Sequence, residues 1–279
     1  MGTTAMAPRR RLALAGAGML AVLAFLPAAP AALAGAADLL AAARTRGTLR
    51  VAMEGSYPPF NFIDAKTGQM SGYDADVARL LAARLGLQAE LVSVEWTDIF
   101  SGLAAGKYDV IVSQAIITPR RQQVVDFSEP YTYSRAQVLL RKNDDATYSA
   151  LADLKGKTIG VARDSFYEAQ ARAVPGITVR SYPAAPETLQ DLAFGRIDAA
   201  LNDSLLVTYL VNTTTLPIRP GPLVGAETRI GVAFQKGNPA FKAALDAALG
   251  RTQADGTLAS LSRKWFRLDA SRPAEPQRP

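Results

Sequence analysis

The chain has 279 residues, of which 49% are hydrophobic and 20% are charged, a composition typical of a globular protein. It contains no cysteine and no histidine, which excludes disulfide bonds, thiolate nucleophiles, Ser-His-Asp triads and metal sites with imidazole or sulfur ligands. The net charge is +6, but part of it stands in a segment that we expect to be removed.

That segment, residues 1–34, has the layout of a secretory signal peptide. Three arginines at 9–11 precede an uncharged run rich in Leu and Ala at 12–26, and Ala-Leu-Ala at 32–34 has the small-x-small pattern of a cleavage site. The apolar run is shorter than the ~20 residues of a membrane-spanning helix, so we expect cleavage, by the general or the twin-arginine route. Without those arginines the net charge is +3. We therefore expect a periplasmic protein that is not a lipoprotein and does not bind nucleic acid.

Short apolar strands then alternate with amphipathic helices. Strands are predicted over residues 48–53, 89–94 and 109–113, and helices over residues 73–85, 97–105 and 204–211. The helix over 73–85 has apolar side chains at positions 77, 80, 81 and 85. Alternating strands and helices are typical of parallel βαβ units, so the predicted fold class is α/β. The Pro-rich tail, 269–279, is expected to be disordered.

Two segments of the chain repeat. Residues 103–110 match residues 192–199 at an offset of 89, and each is read as a helix end, a glycine, a basic residue and an aspartate that opens a strand. Residues 47–52 match residues 157–162 in the same order. The repeats indicate two lobes of one architecture. Ligands bind beyond the carboxyl ends of strands in such sheets, so Ser113 and Gln114 are expected to face Asn202 and Asp203 across one cleft.

Six motifs closely resemble those of the polar amino-acid-binding proteins of ABC importers, in the order found in that family. They are EGSYPPF at 54–60, GYDADVA at 72–78, TPRR with DFSEPY at 118–131, GKTIGV at 156–161, GRIDA at 195–199, and DGT with KWF at 255–266. The resemblance covers about residues 45–268. It implies the two-lobed fold of type II periplasmic binding proteins, with two doubly wound lobes joined by two hinge strands.

The resemblance also implies a domain division and a way of working. Lobe 1 would comprise residues 35–133 and 225–268, lobe 2 residues 134–224, and the lobes would close on a ligand by a hinge motion. The protein would be a monomer without enzymatic activity or cofactor. It would bind a polar L-amino acid and deliver it to an inner-membrane ABC permease by transient docking.

A free amino acid presents a carboxylate and an ammonium, and both need partners once water is excluded. By the resemblance Arg121 binds the carboxylate, which a guanidinium can hold by two parallel hydrogen bonds. The alternative is a solvated surface arginine, as expected for Arg120. Asp203 matches the residue that binds the ammonium, and it also suits the N-cap of the following helix. The two roles of Asp203 are compatible.

Three residues match family positions that contact the ligand side chain. Tyr57 and Trp96 stand where aromatic groups stack on it, although Trp96 would also suit simple core packing. Glu54 stands where the family recognises the polar end of the ligand side chain, and an acid there favours a ligand with a second ammonium or an amide. The alternative for Glu54 is a solvated residue at a strand end.

The chain departs from the family at two places in the carboxylate end of the site. Ile116 replaces a Ser or Thr whose hydroxyl contacts the ligand, so Gln114 or a backbone N–H would have to compensate. Asp164 replaces a glycine, which predicts a different backbone angle, while Ser165 retains a hydroxyl for the carboxylate. The candidate contacts in these two segments are Gln114, Ala115, Ser165 and Phe166.

Within the family the chain looks most like cystine-binding members. Cystine carries a second ammonium, which Glu54 could pair, and a second carboxylate, which Arg163 could pair. Basic amino acids and glutamine are the alternatives. A rival from another class is a periplasmic dehydratase of the same fold acting on arogenate or prephenate, with Glu168 as its acid. A sensor domain is the third and least favoured class.

Overall fold

The computed structural model describes residues 1–2 and 38–274. The chain divides into a leading unit, Met1–Ala34, and a main unit, Gly35–Pro279. The predicted signal peptide and its cleavage site fall outside the described residues. Within residues 1–2 and 38–274, every helix is too short or too polar to cross a membrane.

The described part of the main unit contains eleven strands and nine α-helices. The strands are β1 (Thr48–Met53), β2 (Ser56–Tyr57), β3 (Asn61–Ile63), β4 (Met70–Ser71), β5 (Gln88–Ser93), β6 (Val110–Ile111), β7 (Val125–Arg141), β8 (Thr158–Ala162), β9 (Thr178–Tyr182), β10 (Ala199–Asp203) and β11 (Ile218–Gln235). The helices are α1 (Leu39–Arg46), α2 (Tyr73–Arg84), α3 (Ile99–Ala104), α4 (Pro119–Gln122), α5 (Phe166–Arg172), α6 (Ala185–Ala193), α7 (Ser204–Thr213), α8 (Pro239–Ala254) and α9 (Thr257–Phe266). Eight strands form one sheet in the order β5-β1-β6-β11-β7-β10-β8-β9, and β2-β3-β4 form a small second sheet.

The strands and helices of the first half lie close to their predicted places. β1 has its predicted bounds, and β5 begins and ends one residue earlier than predicted. Both neighbours of β1, β5 and β6, run parallel to it. Only Val110–Ile111 of the predicted strand over 109–113 pairs as β6. The predicted helix over 97–105 begins as a 3-10 turn at Trp96–Asp98 and continues as α3.

The buried face of α2 differs from the predicted one. Asp74, Val77, Ala78 and Leu81 are buried, the i, i+3, i+4, i+7 spacing of one helix face. Positions 80 and 85 are only partly buried. The prediction used apolar residues alone, whereas the face that packs inward includes an aspartate whose carboxylate is held by three hydrogen-bond donors.

The repeat is a real structural correspondence. Gly106 and Gly195 both follow a helix with left-handed φ values of 70° and 74°. The backbone N–H of Arg50 donates to Asp109, and that of Thr158 donates to Asp198 in the other half. Those partners make Thr158 the counterpart of Arg50, so the second predicted alignment, residues 47–52 with 157–162, is shifted by two residues. A shift of two keeps every side chain on the same face of its strand.

β7 and β11 lie in the middle of the large sheet and pair antiparallel with each other. β7 pairs with β10 through residues 136–140, and β11 pairs with β6 through Ala233 and Phe234. These two strands therefore carry the chain between the β1 half and the β8 half. Their pairing is interrupted between Val224 and Thr228. The lobe boundaries predicted at 134 and 224 lie inside these strands and remain a prediction.

The first residues of the tail contact strands β7 and β11. Ala270 and Ser271 are 4% and 1% exposed. The carbonyl of Ala270 accepts from the backbone N–H of Tyr133 on β7 at 2.8 Å, and the N–H of Ala274 donates to Glu227 on β11 at 2.8 Å. Residues 270 and 274 therefore bond to the two crossing strands, while residues 272–274 are exposed; the expected disorder of the tail stays a prediction. Residues 275–279 lie outside the described part.

Candidate functional site

A cavity of about 40 Å³ lies where strand ends from the two halves meet. Ser113 and Gln114 follow β6, and Asn202 stands near the end of β10, as the repeat predicts. The two halves of the chain are in contact here. The lining residues are Glu54, Tyr57, Trp96, Ser113, Gln114, Ile116, Arg121, Ala162, Ser165, Phe166, Tyr167, Ala185 and Asn202.

Arg121 places a guanidinium in the cavity wall. It belongs to α4, whose first turn is capped by Thr118. Its Nη1 donates to the carbonyl of Ile116 at 2.9 Å, and its Cζ lies 5.2 Å from the centroid of the Trp96 ring and 5.0 Å from that of the Phe100 ring. Burial lowers the pKa of Arg121 to about 10, so it stays charged at neutral pH. Among the described residues no carboxylate pairs with it, which makes the site ready for an anion.

Glu54 places a carboxylate at another part of the wall. Its backbone N–H donates to Ser113 Oγ at 3.1 Å, and its side chain accepts from Ser56 Oγ at 3.0 Å. Burial raises the pKa of Glu54 to about 7, and the charges of Glu95 and Glu187 add to that rise. Glu187 belongs to α6, so both halves contribute negative potential here. A cationic ligand group would restore the ionised form of Glu54.

The raised pKa of Glu54 predicts a pH dependence of stability. The folded state holds a proton on Glu54 that the unfolded state loses above about 4.5, so stability falls as pH rises from there to about 7. Glu54→Gln removes this loss. We expect the variant to gain free energy of unfolding over the wild type between pH 5 and pH 8, on the order of 3 kcal/mol at most.

Urea unfolding of the ligand-free proteins at the two pH values measures this difference. The matched control is Glu90→Gln, which neutralises an exposed carboxylate of β5 outside the cavity. An equal pH response of Glu54→Gln and the wild type would contradict the prediction.

A hydrogen bond joins the two halves across the cavity. The hydroxyl of Tyr57, on β2, donates to Oδ1 of Asn202, on β10, at 2.5 Å. The same Oδ1 accepts from the backbone N–H of Asp203 at 2.8 Å. Tyr57 therefore contacts the opposite half directly.

Asp203 lies behind the wall rather than in it. It is 1% exposed, and its carboxylate accepts from Ser134 at 2.5 Å, from Tyr167 at 3.0 Å and from the backbone N–H of Leu205 at 2.8 Å. The predicted N-cap role is confirmed, since Asp203 caps α7. Burial raises the pKa of Asp203 above its ordinary value, although these hydrogen bonds oppose the rise.

The segment from the end of β8 to the N-cap of α5, residues 162–165, contributes to the cavity wall on the side of β8. Asp164 has a φ of 56°, in the left-handed region that glycine favours. The replacement therefore keeps a glycine-like backbone, contrary to the expected change of angle. Ser165 caps α5 by accepting from the backbone N–H of Glu168 at 3.1 Å, so its hydroxyl proton is free for another partner. Phe166 lies beside it, and its ring forms a T-shaped pair with the Tyr167 ring at a centroid distance of 5.9 Å.

A wider groove of about 910 Å³ adjoins the cavity and shares Trp96, Arg121, Ser165 and Phe166 with it. Glu168 lies in this groove and not in the inner cavity. Burial raises the pKa of Glu168, but hydrogen bonds from Ser181, Arg172 and the backbone of Asp164 outweigh burial and lower it. Glu168 is thus held as a carboxylate.

Seven of the nine predicted contacts line the cavity, and two do not. The seven are Glu54, Tyr57, Trp96, Gln114, Arg121, Ser165 and Phe166. Ala115 is fully buried, and its carbonyl accepts from the backbone N–H of Gly231; Asp203 lies behind the wall as described. Arg163 is exposed and lines neither cavity nor groove, so its suggested pairing with a distal carboxylate is not supported. Whether the seven bind a ligand remains a prediction.

Six lining residues were not among the nine predicted contacts: Ser113, Ile116, Ala162, Tyr167, Ala185 and Asn202. Ser113 and Asn202 carried a usable signal, because both stand at the strand ends found by the repeat. Ala185 is the first residue of α6, and nothing in the sequence indicated that it would line the cavity. Its place in the wall follows from packing between the halves.

The model of the family "Bacterial extracellular solute-binding proteins, family 3" matches residues 49–268. The chain belongs to this family. The match confirms the resemblance of the motifs and supports an extracytoplasmic location for the protein.

Relatives by sequence carry names from amino-acid transport. The chain is 38% identical over 235 residues to the L-cystine-binding protein TcyJ of Escherichia coli strain K12, covering 84% of this chain and 88% of that protein. It is 34% identical over 236 residues to the L-cystine-binding protein TcyA of Bacillus subtilis strain 168, covering 84% and 87%. Both relatives are named as binding proteins and not as enzymes.

Solved structures agree with the predicted fold. A mutant of ArgBP from T. maritima superposes with a TM-score of 0.77 at 28% identity, covering 82% of this chain and 99% of that one. An ancestral amino-acid-binding protein, AncCDT-1, described as a precursor of cyclohexadienyl dehydratase, also gives 0.77 at 32% identity, covering 82% and 100%. The α/β fold of the type II periplasmic binding proteins is thereby confirmed.

Proposed function

We propose that this protein is a periplasmic solute-binding protein that captures a polar L-amino acid and delivers it to an ABC permease. The observation that carries the proposal is Arg121. A half-buried guanidinium that lines the cavity without a carboxylate partner among the described residues is available to an anion, and the α-carboxylate of an amino acid fits its fork. Aromatic rings on its faces orient it further.

Capture requires the cleft to open. Tyr57 and Asn202 join the two halves across the cavity, so in this proposal the ligand enters a more open form and closure excludes water around it. The crossing strands β7 and β11 are the hinge in this proposal, with the lobes divided at residues 134 and 224. The bond between Tyr57 and Asn202 stabilises the closed form.

L-Cystine is the ligand we favour. Two relatives are named as L-cystine-binding proteins, and Glu54 provides a carboxylate in the wall with its pKa raised by burial, which suits a second ammonium. An L-amino acid with a basic side chain or L-glutamine comes next. The chain is 31% identical over 216 residues to ABC transporter arginine-binding protein 1 of E. coli, which supports an amino acid with a basic side chain as an alternative ligand.

A dehydratase is the second candidate, favoured by the likeness to AncCDT-1. A general acid must carry a proton near the operating pH. Glu168 accepts from Arg172 at 2.7 Å and from Ser181 at 2.5 Å, and both donors favour the charged form. Because Glu168 also lies outside the inner cavity, we propose binding without catalysis.

The remaining parts of the proposal concern partners and processing. The protein acts as a monomer that docks transiently on its permease and has no nucleic-acid partner. It reaches the periplasm through a cleaved signal peptide without lipid attachment.

The test is the melting temperature of purified protein, stripped of ligand by unfolding and refolding, against L-cystine, L-arginine, L-glutamine, arogenate and prephenate. A ligand at ~1,000 times its dissociation constant adds about 4 kcal/mol of stability. We expect a shift with L-cystine and no turnover. Glu54→Gln should reduce that shift if Glu54 pairs the second ammonium. A shift only with arogenate or prephenate, followed by product formation, would establish the dehydratase instead.

A further inference from the structure

Asp74 is a buried carboxylate at the centre of a polar network behind the cavity. It is 0% exposed in the first turn of α2. One oxygen, Oδ1, accepts from Gln114 Nε2 at 2.7 Å and from the Tyr131 hydroxyl at 2.9 Å; the other, Oδ2, accepts from Asn61 Nδ2 at 2.8 Å. Among the described residues no cation pairs with it, so neutral donors and the helix N-terminus stabilise its charge.

This carboxylate decides which way the Gln114 amide faces. An ionised carboxylate only accepts hydrogen bonds, so the amide must turn its NH₂ group towards Asp74. The amide oxygen, Oε1, then faces away. Oε1 is buried and has no hydrogen-bond partner among the described residues, while Gln114 is 7% exposed and lines the cavity. A buried oxygen without a donor is costly, and a ligand that brings an N–H would satisfy it.

We propose that Asp74 is a positioning residue that fixes the polarity of Gln114, so that Gln114 Oε1 accepts a hydrogen bond from the ammonium group of the bound amino acid. This inference rests on the proposed function. It also changes the role considered for Gln114, because its NH₂ group is directed towards Asp74 and its oxygen is the end of the amide left for the ligand. The ligand carboxylate is left to Arg121 and Ser165.

The neighbouring network explains why Gln114 and not Asn61 responds to a change at Asp74. Asn61 uses both ends of its amide, since Nδ2 donates to Asp74 and Oδ1 accepts from the backbone N–H of Gly55 at 2.8 Å. Turning Asn61 over would lose the bond to Gly55. Turning Gln114 over loses no bond at Oε1, and the Tyr131 hydroxyl can rotate to accept. Asp74→Asn should therefore turn the Gln114 amide and direct its NH₂ group at the ammonium.

The experiment is a double-mutant cycle measured by calorimetric titration with L-cystine, using L-arginine and L-glutamine as further probes. The proteins are the wild type, Asp74→Asn, Gln114→Leu and the double variant. We expect each single change to weaken binding about tenfold or more, the range of one charge-assisted hydrogen bond. In the Gln114→Leu background, Asp74→Asn should change the dissociation constant less than about twofold, because the amide through which it acts is gone.

The matched control is Tyr131→Phe, which removes another donor to Asp74 and leaves the Gln114 amide in place. It should lower stability to urea while keeping the dissociation constant within about threefold of the wild type. If the two single losses multiply in the double variant, or if Tyr131→Phe weakens binding as much as Asp74→Asn, the network is merely structural and the inference is wrong. If the wild type binds none of the three amino acids, the proposed function itself fails.

Discussion

Arg121→Met should lower affinity for the amino-acid ligand by at least about 100-fold, while the ligand-free protein becomes no less stable. The loss in affinity follows from removing two charge-assisted hydrogen bonds to the carboxylate, each worth about 1.5–3 kcal/mol. The unreduced stability of the ligand-free variant is expected because no carboxylate among the described residues pairs with Arg121. Deleting a half-buried charge that no carboxylate among the described residues compensates removes part of a desolvation cost, and Met can keep apolar contact with Trp96 and Phe100.

Calorimetric titration and urea unfolding measure the two halves of this prediction. Arg120→Met is the matched control, because Arg120 is the exposed neighbour on the same short helix. It should change neither quantity. Arg121→Lys tests geometry, since a lysine keeps the charge without the planar fork, and we expect it to recover only part of the affinity. Unchanged binding by Arg121→Met would remove the main support for the proposed function.

Gly72→Ala should destabilise the protein by at least about 4 kcal/mol, an effect at the extreme of single substitutions. Gly72 precedes α2 with a φ of 119°, and a Cβ there would lie 2.2 Å from the carbonyl oxygen of Phe60. That carbonyl accepts the backbone N–H of Asp74 at 2.7 Å. The substitution therefore combines backbone strain with a clash against backbone that anchors the start of α2.

Gly68→Ala separates the two causes. Gly68 also has a left-handed φ, 68°, but a Cβ there would meet nothing within 4 Å. Its cost should be limited to backbone strain, about 1–2 kcal/mol. Soluble yield and urea unfolding compare the variants. Similar stabilities for Gly72→Ala and Gly68→Ala would show that the contact with Phe60 is relieved at little cost.

Local patterns of the sequence predicted much of the fold because their causes are local. Strand β1 follows from a short apolar run, and the glycines at 106 and 195 end helices because they adopt left-handed backbone without a steric penalty. The repeat predicted that strand ends from two halves would meet, since both halves reuse one arrangement of helix, glycine, aspartate and strand. Arg121 was predicted from its motif, and it lines the cavity.

Other features depend on contacts between residues far apart in the chain, and only the tertiary structure decided them. Asp74 is buried because Asn61, Gln114 and Tyr131 converge on it, and no helical period predicts a carboxylate on a buried face. Ala270 and Ala274 bond to the two crossing strands, a contact that no local pattern indicates. The sequence by itself determined the family, the elements and the guanidinium of the site. Which polar atoms are left without partners was decided by packing, because hydrogen-bond satisfaction is a property of the whole assembled network.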